Sequence, residues 1–311
     1  MGSDVHVVVV GGALDSIDRA VERIEQLEGR WSRFRADSEI TMLNNNAGRP
    51  VAVSSDTRLL VDRAIEAWCL TGGSFDPTLL DELCRAGYDR SFEKIGDDPT
   101  RHAVAPRSRA IEAPGCTDIV VDASTVTIPV GLGFDPGGVG KGLAADLVAT
   151  ELIAEGVGGV CINIGGDLRV LGDSPSGSGW TLAIEHPLSS TPIALVGLTE
   201  GAIATSSVLK RTWKLGEQMY HHLIDPATGE PSESDLAVAS IITGEGWKAE
   251  VLAKATLLRG RATAFDLLDA AAAGVVVDHS GLIDASAGFS AFLGGVRLPV
   301  ILELDLHGEQ Q

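Results

Sequence analysis

The chain has 311 residues, of which 44% are hydrophobic and 5% aromatic, so it can bury a sizeable aliphatic core in one large domain or two modest ones. With 24 basic and 43 acidic residues its formal net charge is −19. This charge, without a cluster of Lys and Arg to contact phosphates, excludes nucleic acid as an expected partner.

The four cysteines lie far apart, with no CxxC spacing, at Cys69, Cys84, Cys116 and Cys161. This pattern favours reduced thiols over a metal site made of cysteines. The amino terminus lacks the basic flank and the longer apolar run of a secretory signal. No stretch approaches the ~20 apolar residues of a membrane span. The sequence therefore predicts a cytoplasmic protein with no membrane span.

The amino-terminal half begins with a β-branched run at residues 5–10, which predicts a strand. Residues 14–31 and 54–73 have helical apolar spacing and polar caps. Residues 32–50 are polar and turn-rich, which indicates a loop with one helical turn, and residues 90–118 indicate an exposed excursion. In the helix at 14–31 the apolar stripe consists of Ile17, Ala20, Val21, Ile24 and Leu27.

The carboxyl-terminal half is dominated by strands. A hairpin is predicted at 118–130, and a helix from Lys141 to near Gly156 follows it. Two further helices are predicted at 247–260 and 261–273. The predicted strands are at 159–164, 180–187, 193–198, 201–207, 219–225, 236–243, 274–278 and 281–286. This order predicts an α+β fold, with a mixed, largely antiparallel sheet packed against helices. We expect residues 1–311 to form a single unit, or two closely packed lobes.

The stretch FDPGGVGKGLAAD, residues 134–146, places a glycine-rich turn and Lys141 at the start of a helix. Glycines let the backbone approach a ligand, and a helix amino terminus favours an anion. The pattern is neither GxGxxG nor GxxxxGK[ST], so it is not a Rossmann or Walker motif. From these residues alone, a phosphate cradle and an ordinary tight turn both remain open.

Six segments in a fixed order carry a resemblance to a known family. They are SRFRADSEITMLN (32–44), GGSFDPT (72–78), DPGGVGKGLAAD (135–146), NIGGDLRVLG (163–172), AIATSS (202–207) and HHLIDPATGEP (221–231). With the helix near residue 250, they resemble the ApbE family of FAD:protein FMN transferases over roughly residues 1–290.

The resemblance implies an ApbE-like fold and an enzyme that binds FAD, usually with Mg²⁺. Such an enzyme moves FMN onto a Ser or Thr hydroxyl of an acceptor protein, here unidentified, and releases AMP. Two alternatives remain open, which are hydrolysis of FAD to FMN and AMP and non-catalytic FAD binding or carriage.

The resemblance also implies roles for individual residues. His222 aligns with a proposed general base and is followed by Asp225, so both are candidate catalytic residues. The Gly140 carbonyl and Glu250 are candidate metal ligands. The candidate FAD-binding residues are Asp76, Thr78, Gly137, Gly138, Val139, Gly140, Lys141, Asn163, Gly165, Gly166, Asp167, Thr205, Ser206 and Lys254.

The chain departs from the family pattern at several of these positions. Gly140 stands where the family more often has Ala, and Ser207 replaces a glycine. Glu250 and Lys254 stand where the family usually has the Asp and Thr that bind the metal, and an ammonium cannot ligate a metal. Our hypothesis is FAD binding with weakened or absent Mg²⁺ dependence, in which Lys254 takes over charge neutralisation. The alternative is a Glu–Lys surface pair worth only ~0.3–0.5 kcal/mol.

Overall fold

The computed structural model describes residues 3–96 and 115–293. Within them the helices are α1 (Ser16–Trp31), α2 (Glu39–Asn45), α3 (Ser55–Leu70), α4 (Leu80–Arg85), α5 (Gly140–Ala154) and α6 (Gly246–Arg259). The strands are β1 (Val5–Val10), β2 (Val51–Ala52), β3 (Val120–Val121), β4 (Thr125–Thr127), β5 (Gly159–Ile164), β6 (Asp167–Gly172), β7 (Trp180–Ile184), β8 (Ala194–Leu198), β9 (Gly201–Ser207), β10 (Thr212–Leu215), β11 (Gln218–His221), β12 (Leu236–Thr243), β13 (Ala273–Asp278) and β14 (Ile283–Ala285).

A seven-stranded sheet forms the centre of the fold, in the order β1-β5-β6-β9-β12-β13-β14. Every neighbouring pair in it is antiparallel. Three smaller antiparallel sheets, β2-β4-β3, β10-β11 and β7-β8, lie outside it. The predicted α+β fold with a largely antiparallel sheet is therefore confirmed.

Strand β12 is buried at all eight residues because both faces of the sheet are covered there. Val238 packs in a cluster with Trp180 from the β7–β8 hairpin. Ile241, on the opposite face, packs with Ala249 and other residues of α6. A strand that is covered on both faces has a nearly continuous apolar sequence, and the sequence of β12, LAVASIIT, is of this kind.

Helices α5 and α6 pack against each other and against the sheet. They approach so closely at Gly142 that an added Cβ would lie 2.2 Å from the Gly246 carbonyl oxygen. This contact places the amino terminus of α5 beside α6, which is the arrangement on which the candidate site depends.

Asp146 of α5 ties the two helices together. Its carboxylate accepts hydrogen bonds from the backbone N–H groups of Gly246 (2.7 Å) and Trp247 (2.9 Å), which caps the start of α6. Arg169 Nε lies 3.1 Å from the same carboxylate, and both side chains are largely buried.

We expect Asp146→Ala to lower the free energy of unfolding by about 3 kcal/mol. The substitution removes the cap of α6, and it also removes the α5 carboxylate that pairs with the buried Arg169. Urea denaturation of the purified protein measures this. Asp62→Ala on the exposed side of α3 is the control and should change stability by no more than about 0.5 kcal/mol. Equal effects of the two substitutions would contradict the capping role.

The prediction of a helix at residues 261–273 is wrong. Gly260, with φ 74°, ends α6, and Arg261–Thr263 form a single 3-10 turn. The chain then makes successive tight turns, in which Leu268 N–H donates to the Phe265 carbonyl. Both of these side chains pack against α6 clusters. These apolar residues therefore lie in turns despite their helical spacing, because tertiary packing overrides helix propensity.

Two other local predictions need correction. Ile17 and Val21 of α1 are 48% and 41% exposed, because the buried stripe of that helix runs through Ser16, Ala20, Ile24, Leu27 and Trp31. The predicted loop at 32–50 contains the seven-residue helix α2, whose cap Ser38 accepts a hydrogen bond from Thr41 N–H.

Most of the predicted excursion at 90–118, namely residues 97–114, lies outside the described residues. At its carboxyl end Cys116 is buried in the main core. None of the helices in the two described ranges has the length and hydropathy needed to cross a membrane.

Candidate functional site

A cleft opens where the amino terminus of α5, the loop after α1, the end of β9 and α6 meet. The cleft and the open solvent at its mouth together make up about 1330 Å³ that no protein atom occupies. Twelve of the residues proposed from the sequence line it, and these are Gly137, Gly138, Gly140, Lys141, Gly165, Gly166, Asp167, Thr205, Ser206, His222, Glu250 and Lys254.

Three proposed residues near the glycine turn do not line the cleft. Asp76 accepts hydrogen bonds from the N–H (2.7 Å) and hydroxyl (2.6 Å) of Thr78, which fixes the loop beneath the cleft. Val139 is fully buried in the main core. These residues shape the backbone on which the site is built.

Asn163 and Asp225 also lie behind the cleft and hold its turns. Asn163 Oδ1 accepts a hydrogen bond from Gly166 N–H at 2.9 Å. Asp225 accepts one from Ala227 N–H at 2.9 Å, in the turn that follows His222. The structure thus places Asp225 where it supports the loop of the proposed base.

The glycine turn, residues 137–141, closes one side of the cleft. Gly138 has φ 105°, and an added Cβ would lie 2.9 Å from Lys254 Cδ and 3.0 Å from Phe75 Cε2. Both the backbone conformation and the space therefore require glycine here. The chain reaches the cleft as bare backbone at this point, as a diphosphate cradle needs.

Lys141 is engaged by two carboxylates. Its Nζ forms ion pairs with Asp167 and, at 2.6 Å, with Glu250. Burial disfavours the ammonium, but these two carboxylates outweigh burial and raise the pKa of Lys141 above its usual value. The charge of Lys141 is therefore balanced by carboxylates of the protein itself.

Glu250 is 3% exposed and both its carboxylate oxygens have partners. One oxygen pairs with Lys141, and the other accepts the N–H of Gly142 at 2.8 Å, which caps the first turn of α5. The alternative of a Glu250–Lys254 surface pair is wrong, because Glu250 is buried and turned toward α5.

Lys254 reaches the glycine turn from α6. Its Nζ donates to the Gly137 carbonyl at 3.3 Å and lies 5.3 Å from the centre of the Phe75 ring. Burial lowers the pKa of Lys254, although nearby acids such as Asp135 act in the opposite direction. A second cation thus stands at the turn, held by a neutral carbonyl.

These residues do not fit a divalent metal. In the described ranges, no group of three or more His, Cys, Asp or Glu side chains is placed to hold one. Both oxygens of Glu250 are already paired, and Lys254 carries only donors. The proposed ligand pair of Gly140 and Glu250 therefore lacks the free acidic oxygens that Mg²⁺ requires.

His222 follows β11 directly and borders the cleft. Its Nδ1 atom is buried and has no hydrogen-bond partner among the described residues. Burial, with the positive charges of Arg211 and Lys254, holds the pKa of His222 well below 6.5. The ring is therefore neutral at physiological pH and able to accept a proton.

His221 has a separate and structural role. Its Nε2 lies 3.0 Å from the Ser232 carbonyl, and its Nδ1 accepts the N–H of Leu223. The predicted strand at 219–225 ends at His221.

Two aromatic residues that were not predicted from the sequence, Phe34 and Tyr88, also line the cleft and form an aromatic wall. The Arg33 guanidinium lies 4.1 Å from the centre of the Phe34 ring and 4.6 Å from that of Tyr88. Arg33 Nε pairs with Asp135 at 3.3 Å. Arg33 and Phe34 belong to the segment 32–44, which resembles the ApbE family. Tyr88 lies in none of the six segments that carry the resemblance.

The lining is cationic although the whole chain is strongly acidic. Five basic and three acidic side chains line the cleft, which leaves it net positive. The basic residues are Arg33, Lys141, Lys210, Arg211 and Lys254. A positive cleft on an acidic surface concentrates and orients an anionic ligand.

Comparisons with known proteins find relatives in sequence and in fold. Curated relatives include the FAD:protein FMN transferases of Treponema pallidum, 26% identical over 79% of this chain and 71% of the relative, and Vibrio cholerae, 29% identical over 78% and 72%. Among solved structures, the ApbE protein of Thermotoga maritima superposes with a TM-score of 0.81 at 23% identity, covering 94% of this chain and 96% of that one. The flavin transferase ApbE of Vibrio cholerae gives a TM-score of 0.75 at 24% identity, covering 94% and 96%.

The structural matches establish the fold. The ApbE family pattern itself matches residues 1–277, which is most of the chain. This protein belongs to the ApbE family.

Proposed function

We propose that this protein is an FAD:protein FMN transferase, which moves FMN from FAD onto a Ser or Thr hydroxyl of another protein and releases AMP. The observation that carries the proposal is the cleft itself. It joins a glycine turn at a helix amino terminus, a net positive lining and a neutral, half-buried histidine. Family membership and the curated relatives' names support the same reaction.

The glycine turn receives the diphosphate of FAD in this account. The backbone at Gly138 permits close approach, and the positive end of α5 favours the anion. Phe34, which is 38% exposed and backed by the buried Tyr88, offers aromatic surface in the cleft against which a planar ring can lie. The dinucleotide is thus held at its charged centre and along a ring.

His222 acts as the general base. The acceptor hydroxyl gives its proton to the imidazole as its oxygen forms a bond to the phosphorus of the FMN half. The bond between that phosphorus and the bridging oxygen breaks, and AMP leaves with the bridging oxygen. The donors around the cleft stabilise the charge that develops on the phosphoryl oxygens.

The pH dependence of transfer follows from the lowered pKa of His222. Because burial and the neighbouring cations disfavour the imidazolium, the base form persists at a pH where a free imidazole is half protonated. We expect kcat/KM to stay flat through pH 6.5 and to fall only at a lower pH. A pH–rate profile with an acidic limb centred at 6.5 would contradict this assignment.

The direct test is incubation of the purified protein with FAD and a domain that the transferases of relatives flavinylate. Mass measurement of the domain and chromatography of the nucleotides separate the three readings. A mass gain of one FMN with matching AMP supports transfer. Free FMN and AMP with an unmodified domain indicate the pyrophosphatase alternative, and intact FAD that stays bound indicates a binding protein. The acceptor in the cell and a cytoplasmic location stay predictions.

A further inference from the structure

The positive charges at the glycine turn are not equivalent. Of Lys141 and Lys254, Lys141 is the one that forms ion pairs. Its partners are Asp167 and Glu250. Together these three groups carry no net positive charge, so they do not attract a diphosphate. A cation that serves the ligand must come from elsewhere at the turn.

Lys254 meets that requirement. Its hydrogen bond is to the Gly137 carbonyl, a neutral acceptor, and no carboxylate in the described part of the chain forms an ion pair with it. Its side chain passes close to Gly138. A Cβ added at Gly138 would lie 3.4 Å from the Nζ atom of Lys254. The ammonium therefore stands directly at the backbone that would cradle the diphosphate.

The same geometry disfavours a divalent cation at the described residues of the cleft. Glu250 is occupied by Lys141 and by the Gly142 N–H, so it has no oxygen to turn toward a metal without uncapping α5. A metal would also lie beside the Lys254 ammonium, and like charges in a buried site repel strongly.

We propose that Lys254 is the built-in cation of this site, pairing directly with the diphosphate so that FAD binds without a divalent metal. This inference rests on the proposed function and specifies how its substrate is held. A half-buried ammonium with a neutral partner gains when a dianionic ligand arrives, because the ligand replaces the hydration that the ammonium has lost.

The test is FAD affinity by isothermal titration, once in excess EDTA and once in millimolar MgCl₂. We expect the two dissociation constants of the wild-type protein to agree within about twofold. Lys254→Met, which keeps most of the length of the side chain and removes its charge, should weaken binding about 10- to 100-fold in both buffers.

Lys248→Met is the matched control. Lys248 lies on the same helix, where it pairs with Glu245 and lies over Trp247, outside the cleft lining. Its replacement removes the same charge from α6 and should leave FAD affinity within about twofold of wild type.

Tenfold or greater tightening of wild-type binding by Mg²⁺ would overturn this inference while leaving the proposed function in place. Unchanged affinity of the folded Lys254→Met protein would overturn it as well. Absence of FAD binding in both buffers would overturn the proposed function together with it.

Discussion

Replacing His222 by glutamine is expected to lower the rate of FMN transfer by about 10²- to 10⁴-fold, because an amide keeps the shape of the cleft but cannot accept the hydroxyl proton. FAD affinity should stay within about threefold of wild type, since the ring is assigned to the chemical step. The measurement is single-turnover transfer at saturating FAD, with the affinity obtained by titration.

His221→Gln provides the control for this prediction. His221 is the adjacent residue, but it is bound to the Ser232 carbonyl and does not line the cleft. We expect its substitution to alter transfer by less than about threefold. If the His222 variant transfers FMN at the wild-type rate, or if both variants slow down equally, His222 is not the base.

Replacing Gly142 by alanine is expected to lower the free energy of unfolding by about 3 kcal/mol or more, because two helix backbones meet at this point. An alanine Cβ would lie 2.2 Å from the Gly246 carbonyl oxygen and 2.7 Å from Trp247 N. Neither is the end of a flexible side chain, so α5 and α6 must separate. Urea or thermal unfolding measures the change.

Gly29→Ala is the control for that substitution. Gly29 lies inside α1, and no neighbouring atom comes within 4 Å of its added Cβ. Alanine there should increase stability by about 0.5–1 kcal/mol through helix propensity. The opposite signs of the two effects separate close helix contact from the general cost of replacing a helical glycine. A neutral Gly142→Ala would contradict the described approach of α5 and α6.

Much of the fold follows from patterns within single segments. β-Branched runs such as residues 236–243 and amphipathic stretches such as residues 54–73 predict elements that the structure contains. The segment after Gly260 shows the limit of this reasoning. Its alanines and leucines have helical spacing, yet Phe265 and Leu268 pack against other elements through tight turns.

In the candidate site, too, some features could be predicted from single segments and others could not. The glycine turn and His222 are recognisable in the sequence, and both line one cleft. The pairing of Glu250 was not foreseeable from its own helix, because spacing along α6 suggests Lys254 as its partner. Its actual partner, Lys141, comes from α5, which the close contact at Gly142 brings within reach.

The aromatic wall depends even more on tertiary structure. Arg33 joins Phe34, its neighbour in the chain, to Tyr88, which lies 55 residues away. Tyr88 follows α4 in a segment with no periodic pattern. Only the fold brings these groups to the same cleft, so no local signal marked them as a ligand surface.

The most direct test of the account is a crystal structure of the protein grown with FAD in the presence of EDTA. We predict density for FAD in the cleft, with its diphosphate on the glycine turn at residues 137–141 and within hydrogen-bond distance of the Lys254 ammonium. FAD bound elsewhere on the protein, or in the cleft with its diphosphate turned away from residues 137–141, would contradict it.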